Sequence, residues 1–205
     1  MKILKPSQLN EAAKLLNEGE VIAFPTETVF GLGVVYDNKD AYDKLVQVKR
    51  RPPYKPFTLM VADPEEIEKY AELNDVSKAL IKKFMPGQFT MIMTAKPGLP
   101  AWCISEIGRV GVRIADYDMV RELIRKTGKP LLVPSANRAG EEPALTAEEV
   151  VKTFGDEFPA VLEGKTVSHI PSTIVMVEDT YTHVFREGPI SIEDIKKVIA
   201  EVEKK

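Results

Sequence analysis

Two apolar runs stop at a proline and open onto loops rich in hydroxyls. Val21-Ile22-Ala23-Phe24 precedes Pro25-Thr26-Glu27-Thr28, and Leu131-Leu132-Val133 precedes Pro134-Ser135-Ala136-Asn137. Short apolar runs bounded by turn residues read as buried strands, and proline ends them because it fixes φ and offers no N–H to the ladder. Strands are expected over 20–24 and 131–134, with others over 57–61, 89–94, 110–114, 160–163, 173–177 and 183–186. Between them the apolar spacing changes to the helical period. Ser7 is expected to cap a helix to about Glu18, stopped by Gly19. Further helices are expected over 38–50, 64–71, 75–85, 117–127 and 146–154, and from Ser191 to about 203; Thr146 with Glu149 has the form of a capping box. Strands alternating with helices, without a long linker or a repeat, mean an α/β or α+β chain, read as one domain over 1–205.

Composition mostly excludes. A net charge of -3 gives no global attraction to nucleic acid or membrane, so binding of either kind needs a local patch. No apolar stretch reaches the roughly 20 residues that span a bilayer, and the first residues lack a signal-peptide pattern. A cytoplasmic protein without membrane contact is expected. Cys103, the single cysteine, rules out an internal disulfide and reads as a small hydrophobe beside Trp102.

Several segments carry chemistry. In the loop after Phe24, Thr26 and Thr28 offer hydroxyls, and Gly31 and Gly33 are expected to let backbone N–H groups approach a ligand. Lys49-Arg50-Arg51-Pro52-Pro53-Tyr54-Lys55-Pro56 puts four cations and three prolines in eight positions at a helix end. A stiff basic turn suits a polyphosphate, yet it is also what a solvated helix C-terminus looks like. Arg109 and Arg113 share one face of a strand by its period of two, and each needs an anion, supplied either by an internal carboxylate or by a ligand. Ser135, Asn137 and Gly140 make a polar turn, hydroxyls of Ser172 and Thr173 open a later strand, and Arg186 ends another before Gly188. Gly164-Lys165-Thr166 lacks the rest of a P-loop, and His169 and His183 fit neither a triad nor a metal pattern.

Taken in order, Pro25-Thr26-Glu27-Thr28 with Gly31-Leu32-Gly33, Lys49-x-Arg51-Pro52, Pro86-Gly87 with Thr90, Val110-Gly111-Val112-Arg113, Ser135-Ala136-Asn137, Ser172-Thr173-Ile174-Val175 and Arg186-x-Gly188 resemble the YrdC-like threonylcarbamoyl-AMP synthases. The likeness runs from the first helix to residue 188, and the chain looks like the short form. It implies a twisted mixed sheet flanked by helices, with a basic concave face. The implied reaction joins L-threonine, bicarbonate and ATP into L-threonylcarbamoyl-AMP and pyrophosphate, for threonylcarbamoyladenosine beside the tRNA anticodon. Mg²⁺ would accompany ATP, tRNA or double-stranded RNA could meet the basic face, and a downstream tRNA threonylcarbamoyl transferase would take the product.

By the same resemblance Thr28, Met60, Arg113, Val133 and Ser172 would bind threonine. Arg51, Lys55, Arg109, Ser135, Asn137, Pro143 and Arg186 would bind ATP, with Lys49, Arg51 and Ser135 nearest the chemistry. No general base stands out among these residues. Phe30 replaces a frequent tyrosine, and Met60 a frequent histidine. Two other readings compete. An RNA-binding module would use the same basic face without turnover, its affinity falling steeply with salt. A carbamoyltransferase domain of the HypF kind shares the fold, but it comes with zinc-binding segments that one cysteine cannot supply.

Overall fold

The computed structural model describes residues 1–52, 55–178 and 182–204, so Pro53 and Tyr54 of the basic turn lie outside the described residues. Among the described residues ten strands form one mixed sheet: β1 (Lys2–Leu4), β2 (Ile22–Phe24), β3 (Gly31–Val35), β4 (Leu59–Met60), β5 (Phe89–Thr94), β6 (Arg109–Arg113), β7 (Leu131–Leu132), β8 (Ala160–Leu162), β9 (Thr173–Val177) and β10 (Thr182–Arg186). Their order across the sheet is β1-β8-β2-β3-β7-β4-β6-β5-β9-β10. Parallel pairs (β1 with β8, β4 with β6, β5 with β9) sit among antiparallel ones such as β2 with β3 and β5 with β6. Six α-helices among the described residues flank it: α1 (Leu9–Asn17), α2 (Lys39–Lys49), α3 (Asp75–Phe84), α4 (Asp118–Thr127), α5 (Ala147–Phe154) and α6 (Ile192–Glu203).

The helices cover the two faces unequally, and that inequality creates the site. One core joins Leu45 of α2, Leu80 of α3, Val150 of α5 and Ile195 of α6 to Leu32, Leu59, Met91, Val112 and Val175 of the sheet. A second, on the other face, joins Leu16 of α1 and Leu123 of α4 to Ile22, Phe24, Met60 and Leu131. Because successive side chains alternate in direction, both faces are buried where β2, β7 and β4 run. Farther along, on β5, β6 and β9, Met91, Met93, Val110, Val112, Val175 and Val177 point into the first core. Their neighbours in sequence, Thr90, Ile92, Arg109, Gly111, Arg113, Ile174 and Met176, face a cavity instead.

Most elements follow the sequence, and the departures have local causes. Ser7 does not cap α1; it lies in a 3-10 turn, Pro6–Gln8, and the helix starts at Leu9. The expected helix over 64–71 is a 3-10 helix, Pro64–Lys69. β4 is shorter than the expected strand, although pairing continues past its ends, as the Val133 N–H donates to the Thr58 carbonyl at 2.8 Å and the Val61 N–H to the Arg113 carbonyl at 3.1 Å. β3 occupies the segment read as a glycine loop. A Cβ on Gly31 would sit 2.6 Å from Val133 Cγ1, and one on Gly33 2.5 Å from Phe24 Cε1, so these glycines let side chains of adjoining strands cross the backbone. Ligand approach is not needed to explain them. Side chains cap α2 and α6: Asn38 accepts from the Ala41 N–H and Ser191 from the Asp194 N–H. Of the capping box expected at 146–149 only one half forms, Thr146 accepting from the Glu149 N–H while the Glu149 carboxylate accepts from the Leu145 N–H and not from that of Thr146. Cys103 is buried in the first core, and burial pushes its thiol up to about 12. Among the described residues no helix is long and apolar enough to cross a membrane.

Candidate active site

The open half of the second face holds a cavity of about 720 Å³, within the size range of ligand pockets. Its wall carries Arg51, Lys55, Arg109, Arg113 and Arg186, and among the described lining residues there is no carboxylate. A chain of net charge -3 therefore concentrates five cations on one hollow, together with hydroxyls of Thr26, Thr28, Thr58, Thr90, Ser105, Ser135 and Ser172. Such a lining attracts anions and offers hydrogen bonds to fix their orientation.

The loop after β2 forms the first wall. The Thr26 hydroxyl donates to the Val29 carbonyl at 2.7 Å and accepts from the N–H groups of Thr28 and Val29, which ties residues 26–29 into a compact turn. Thr28 Oγ1 lies 2.9 Å from Thr26 Oγ1 and accepts from Arg113 Nη2 at 2.9 Å. A second loop is stitched on behind. Val167 and Ser168 donate their N–H groups to the Glu27 carbonyl and His169 donates to that of Thr28, which places Pro171 and Ser172 at the cavity.

Arg113 is anchored by β6, where the register sets it beside Met60 of β4 and Thr90 of β5. Its Nη2 also donates to Glu27 Oε1 at 2.7 Å, so of the two anions that the strand position allowed, an internal carboxylate is present. Both residues are nearly buried, at 5% exposure for Glu27 and 7% for Arg113. Arg109 is likewise engaged, Nη2 and Nε donating to Glu178 Oε1 at 2.7 and 3.1 Å. Arg186 donates Nε and Nη2 to the Ser172 carbonyl at 2.9 and 2.8 Å, and Ser172 Oγ lies 2.8 Å from Thr90 Oγ1. Thr90, the register partner of Arg113, is thereby joined to the residue that Arg186 holds. Arg51 stacks on Phe57, its guanidinium 5.2 Å from the ring centroid, and burial lowers its pKa.

Of the residues singled out in the sequence, the cavity wall brings together Thr28, Arg51, Lys55, Met60, Arg109, Arg113, Val133, Ser135, Ser172 and Arg186. It does not include Lys49, Asn137 or Pro143. Lys49 is 3% exposed, and its ammonium donates to the Ser135 carbonyl at 2.7 Å and to Asn137 Oδ1 at 2.8 Å. Asn137 is spent in the same knot, accepting from the Ser135 hydroxyl and donating to the carbonyls of Arg138 and Glu141. Lys49 holds the Ser135 loop from inside, its ammonium turned toward that loop's carbonyl and amide. Two carboxylates that the sequence reading left without a role, Glu27 and Glu178, turn out to pair with the cavity arginines. The signal for them was the demand of Arg109 and Arg113 for counter-ions.

Burial, reinforced by the Arg51 charge, lowers the Lys49 pKa from 10.5 to about 8. Between those values the unfolded chain binds more protons than the folded one, so the contribution of this residue to stability rises with pH. The wild type is expected to gain stability relative to Lys49→Met as pH goes from about 7 to about 9.5, measured by denaturant midpoints. A flat or falling difference would contradict a desolvated ammonium.

The family model of the Sua5, YciO and YrdC proteins, described as "Telomere recombination", matches residues 14–188. The chain belongs to the Sua5/YciO/YrdC family. A family member from Enterobacter sp. (strain 638), named a threonylcarbamoyl-AMP synthase, is 37% identical over 183 residues, 87% of this chain and 94% of that protein. One of the same name from Bacillus subtilis is 34% identical over 198 residues, 95% of this chain but only 57% of that protein. The crystal structure of P. abyssi Sua5 complexed with L-threonine superimposes with a TM-score of 0.93 at 28% identity, covering 98% of this chain and 62% of that one. This chain thus spans less than two thirds of the length of two of these three Sua5/YciO/YrdC relatives. The mixed sheet flanked by helices is the fold this chain shares with P. abyssi Sua5.

Proposed function

We propose that the chain is a threonylcarbamoyl-AMP synthase, a nucleotidyltransferase that makes L-threonylcarbamoyl-AMP and pyrophosphate from L-threonine, bicarbonate and ATP. The observation that carries this reading is the joining of two kinds of cation in one cavity. Arg113, set among Thr28, Met60 and Val133, suits a small carboxylate, while Arg51, Lys55 and Arg186 suit a polyphosphate. Relatives named for this activity and a relative crystallised with threonine support it.

On this reading the threonine carboxylate meets Arg113, and Thr28 and Ser172 orient the hydroxyl and amine. Bicarbonate carboxylates the amine with loss of water. An oxygen of the resulting carbamate attacks the α-phosphorus of ATP, the bond to the β-phosphate breaks, and pyrophosphate leaves. Carbamate and triphosphate repel one another, and the cations of the wall offset that repulsion in both ground and transition states. Catalysis is then positioning and charge stabilisation, which fits a wall without a carboxylate base. Among the described residues no three His, Cys, Asp or Glu side chains converge to hold a metal. On this reading Mg²⁺ would come bound to the phosphates of ATP. The product would pass to a tRNA threonylcarbamoyl transferase in the cytoplasm.

Purified protein is expected to release pyrophosphate from ATP only when threonine, bicarbonate and a divalent cation are all supplied. Equal release without threonine would refute the synthase reading. Retention of tRNA without any release would favour the RNA-binding module.

A further inference from the structure

The cavity cations differ in what already neutralises them. Arg51 and Arg186 form no ion pair with a carboxylate among the described residues, whereas Arg113 is paired with Glu27 at 2.7 Å. That pair is asymmetric. Glu27 uses one oxygen only, and Glu27 Oε2 and Arg113 Nε are buried without a hydrogen-bond partner. Arg113 lines the cavity and Glu27 does not, so the carboxylate lies behind the arginine as seen from the ligand space.

We infer that Glu27 is the selectivity residue of the Arg113 subsite, cancelling its charge from behind so that it takes the carboxylate of a zwitterionic amino acid and refuses a polyphosphate. This deepens the synthase reading and rests on it. A buried charge acts without contact, because Coulomb attraction falls only as the inverse of distance and is little screened away from water. An α-amino acid carries its ammonium next to its carboxylate. A carboxylate seated on Arg113 therefore brings a positive group into the field of Glu27, and the arginine–glutamate pair meets the zwitterion as one dipole meets another. A phosphate brings only negative charge, finds the pair neutral, and is left to Arg51 and Arg186. Glu27 also fixes the arginine: with Nη2 shared between Glu27 and Thr28, the guanidinium is held and Nη1 forms no hydrogen bond to a described residue. One cavity can in this way bind two unlike substrates without exchanging their places. Glu27 is a positioning residue, and its effect should appear in which ligands bind.

The test is calorimetric titration of the full chain and of Glu27→Gln with L-threonine, with 3-hydroxybutyrate, which is threonine without its amine, and with threonine in the presence of inorganic pyrophosphate. The wild type is expected to prefer threonine to 3-hydroxybutyrate, and pyrophosphate should not displace threonine. In Glu27→Gln the preference should fall by about tenfold or more, and pyrophosphate should now compete. An unchanged preference in a folded Glu27→Gln protein would overturn the inference while leaving the synthase reading standing. Displacement of threonine by pyrophosphate from the wild type would also overturn it, and needs no variant to fold. Failure of the wild type to bind threonine would instead remove the synthase reading, and the inference with it.

Discussion

Arg113→Ala is expected to destabilise the protein by about 3–5 kcal/mol, the cost of breaking a buried ion pair from one side, and to abolish measurable threonine binding. The loss of stability comes from what is left behind. Glu27, 5% exposed, would keep a carboxylate with no guanidinium beside it, and Thr28 would lose the donor at 2.9 Å. Arg113→Lys should separate the two effects. An ammonium can pair with Glu27 and restore much of the stability, but as a point charge on a flexible stem it cannot hold Glu27, Thr28 and a ligand carboxylate at once. The lysine variant is therefore expected to melt near the wild type and to bind threonine nearly as poorly as the alanine variant. Adding Glu27→Gln to Arg113→Ala should recover part of the lost stability, because the orphaned charge is then gone. Denaturant unfolding and titration with threonine check all three. A stable lysine variant of wild-type threonine affinity would show that Arg113 is a structural cation.

What could be read from the sequence was what local chemistry decides. The runs 89–94 and 173–177 alternate or carry β-branched residues, and β5 and β9 have those bounds. The helix starts read at Asn38, Thr146 and Ser191 hold because those side chains reach an N–H three residues on. β3 escaped because glycine signals a turn locally, and only the Phe24 and Val133 side chains, distant or across a strand, explain its absence of Cβ atoms. β1 escaped because three residues give too little pattern, and its partner β8 lies more than 150 residues away. The site shows the same division. Arg113 and Arg109 announced a need for anions, and period two placed them on one face. Which anion each had found depended on folding, which carried Glu27 and Glu178 across from separate segments. The direction of the Lys49 ammonium was hidden for a related reason. A lysine in a basic turn resembles a phosphate ligand in sequence, and only the packing of α2 against the Ser135 loop shows its ammonium turned inward.

Arg51→Ala is expected to weaken ATP binding by about tenfold to a hundredfold and to leave threonine binding nearly unchanged. A charge-assisted hydrogen bond contributes about 1.5–3 kcal/mol, and every 1.4 kcal/mol is tenfold in affinity. Arg50 provides an internal control one residue away. It caps α2 in the left-handed conformation at φ 50°, is exposed, and is not part of the cavity wall, whereas Arg51 is half-buried against Phe57 and lines it. A diffuse basic patch would treat the two alike, since screened surface charges act mainly through their sum. A built site would not. Arg186→Ala extends the contrast, because Arg186 also holds the Ser172 carbonyl with two hydrogen bonds. Its removal should weaken ATP directly and threonine indirectly, through a loosened Ser172 and its contact with Thr90. Titration of ATP and threonine into the three variants at one fixed salt concentration reads both columns of this comparison. Equal losses from Arg50→Ala and Arg51→Ala, or an Arg186→Ala effect confined to ATP, would show that the cations act as a field and do not share the work in the way their contacts assign it.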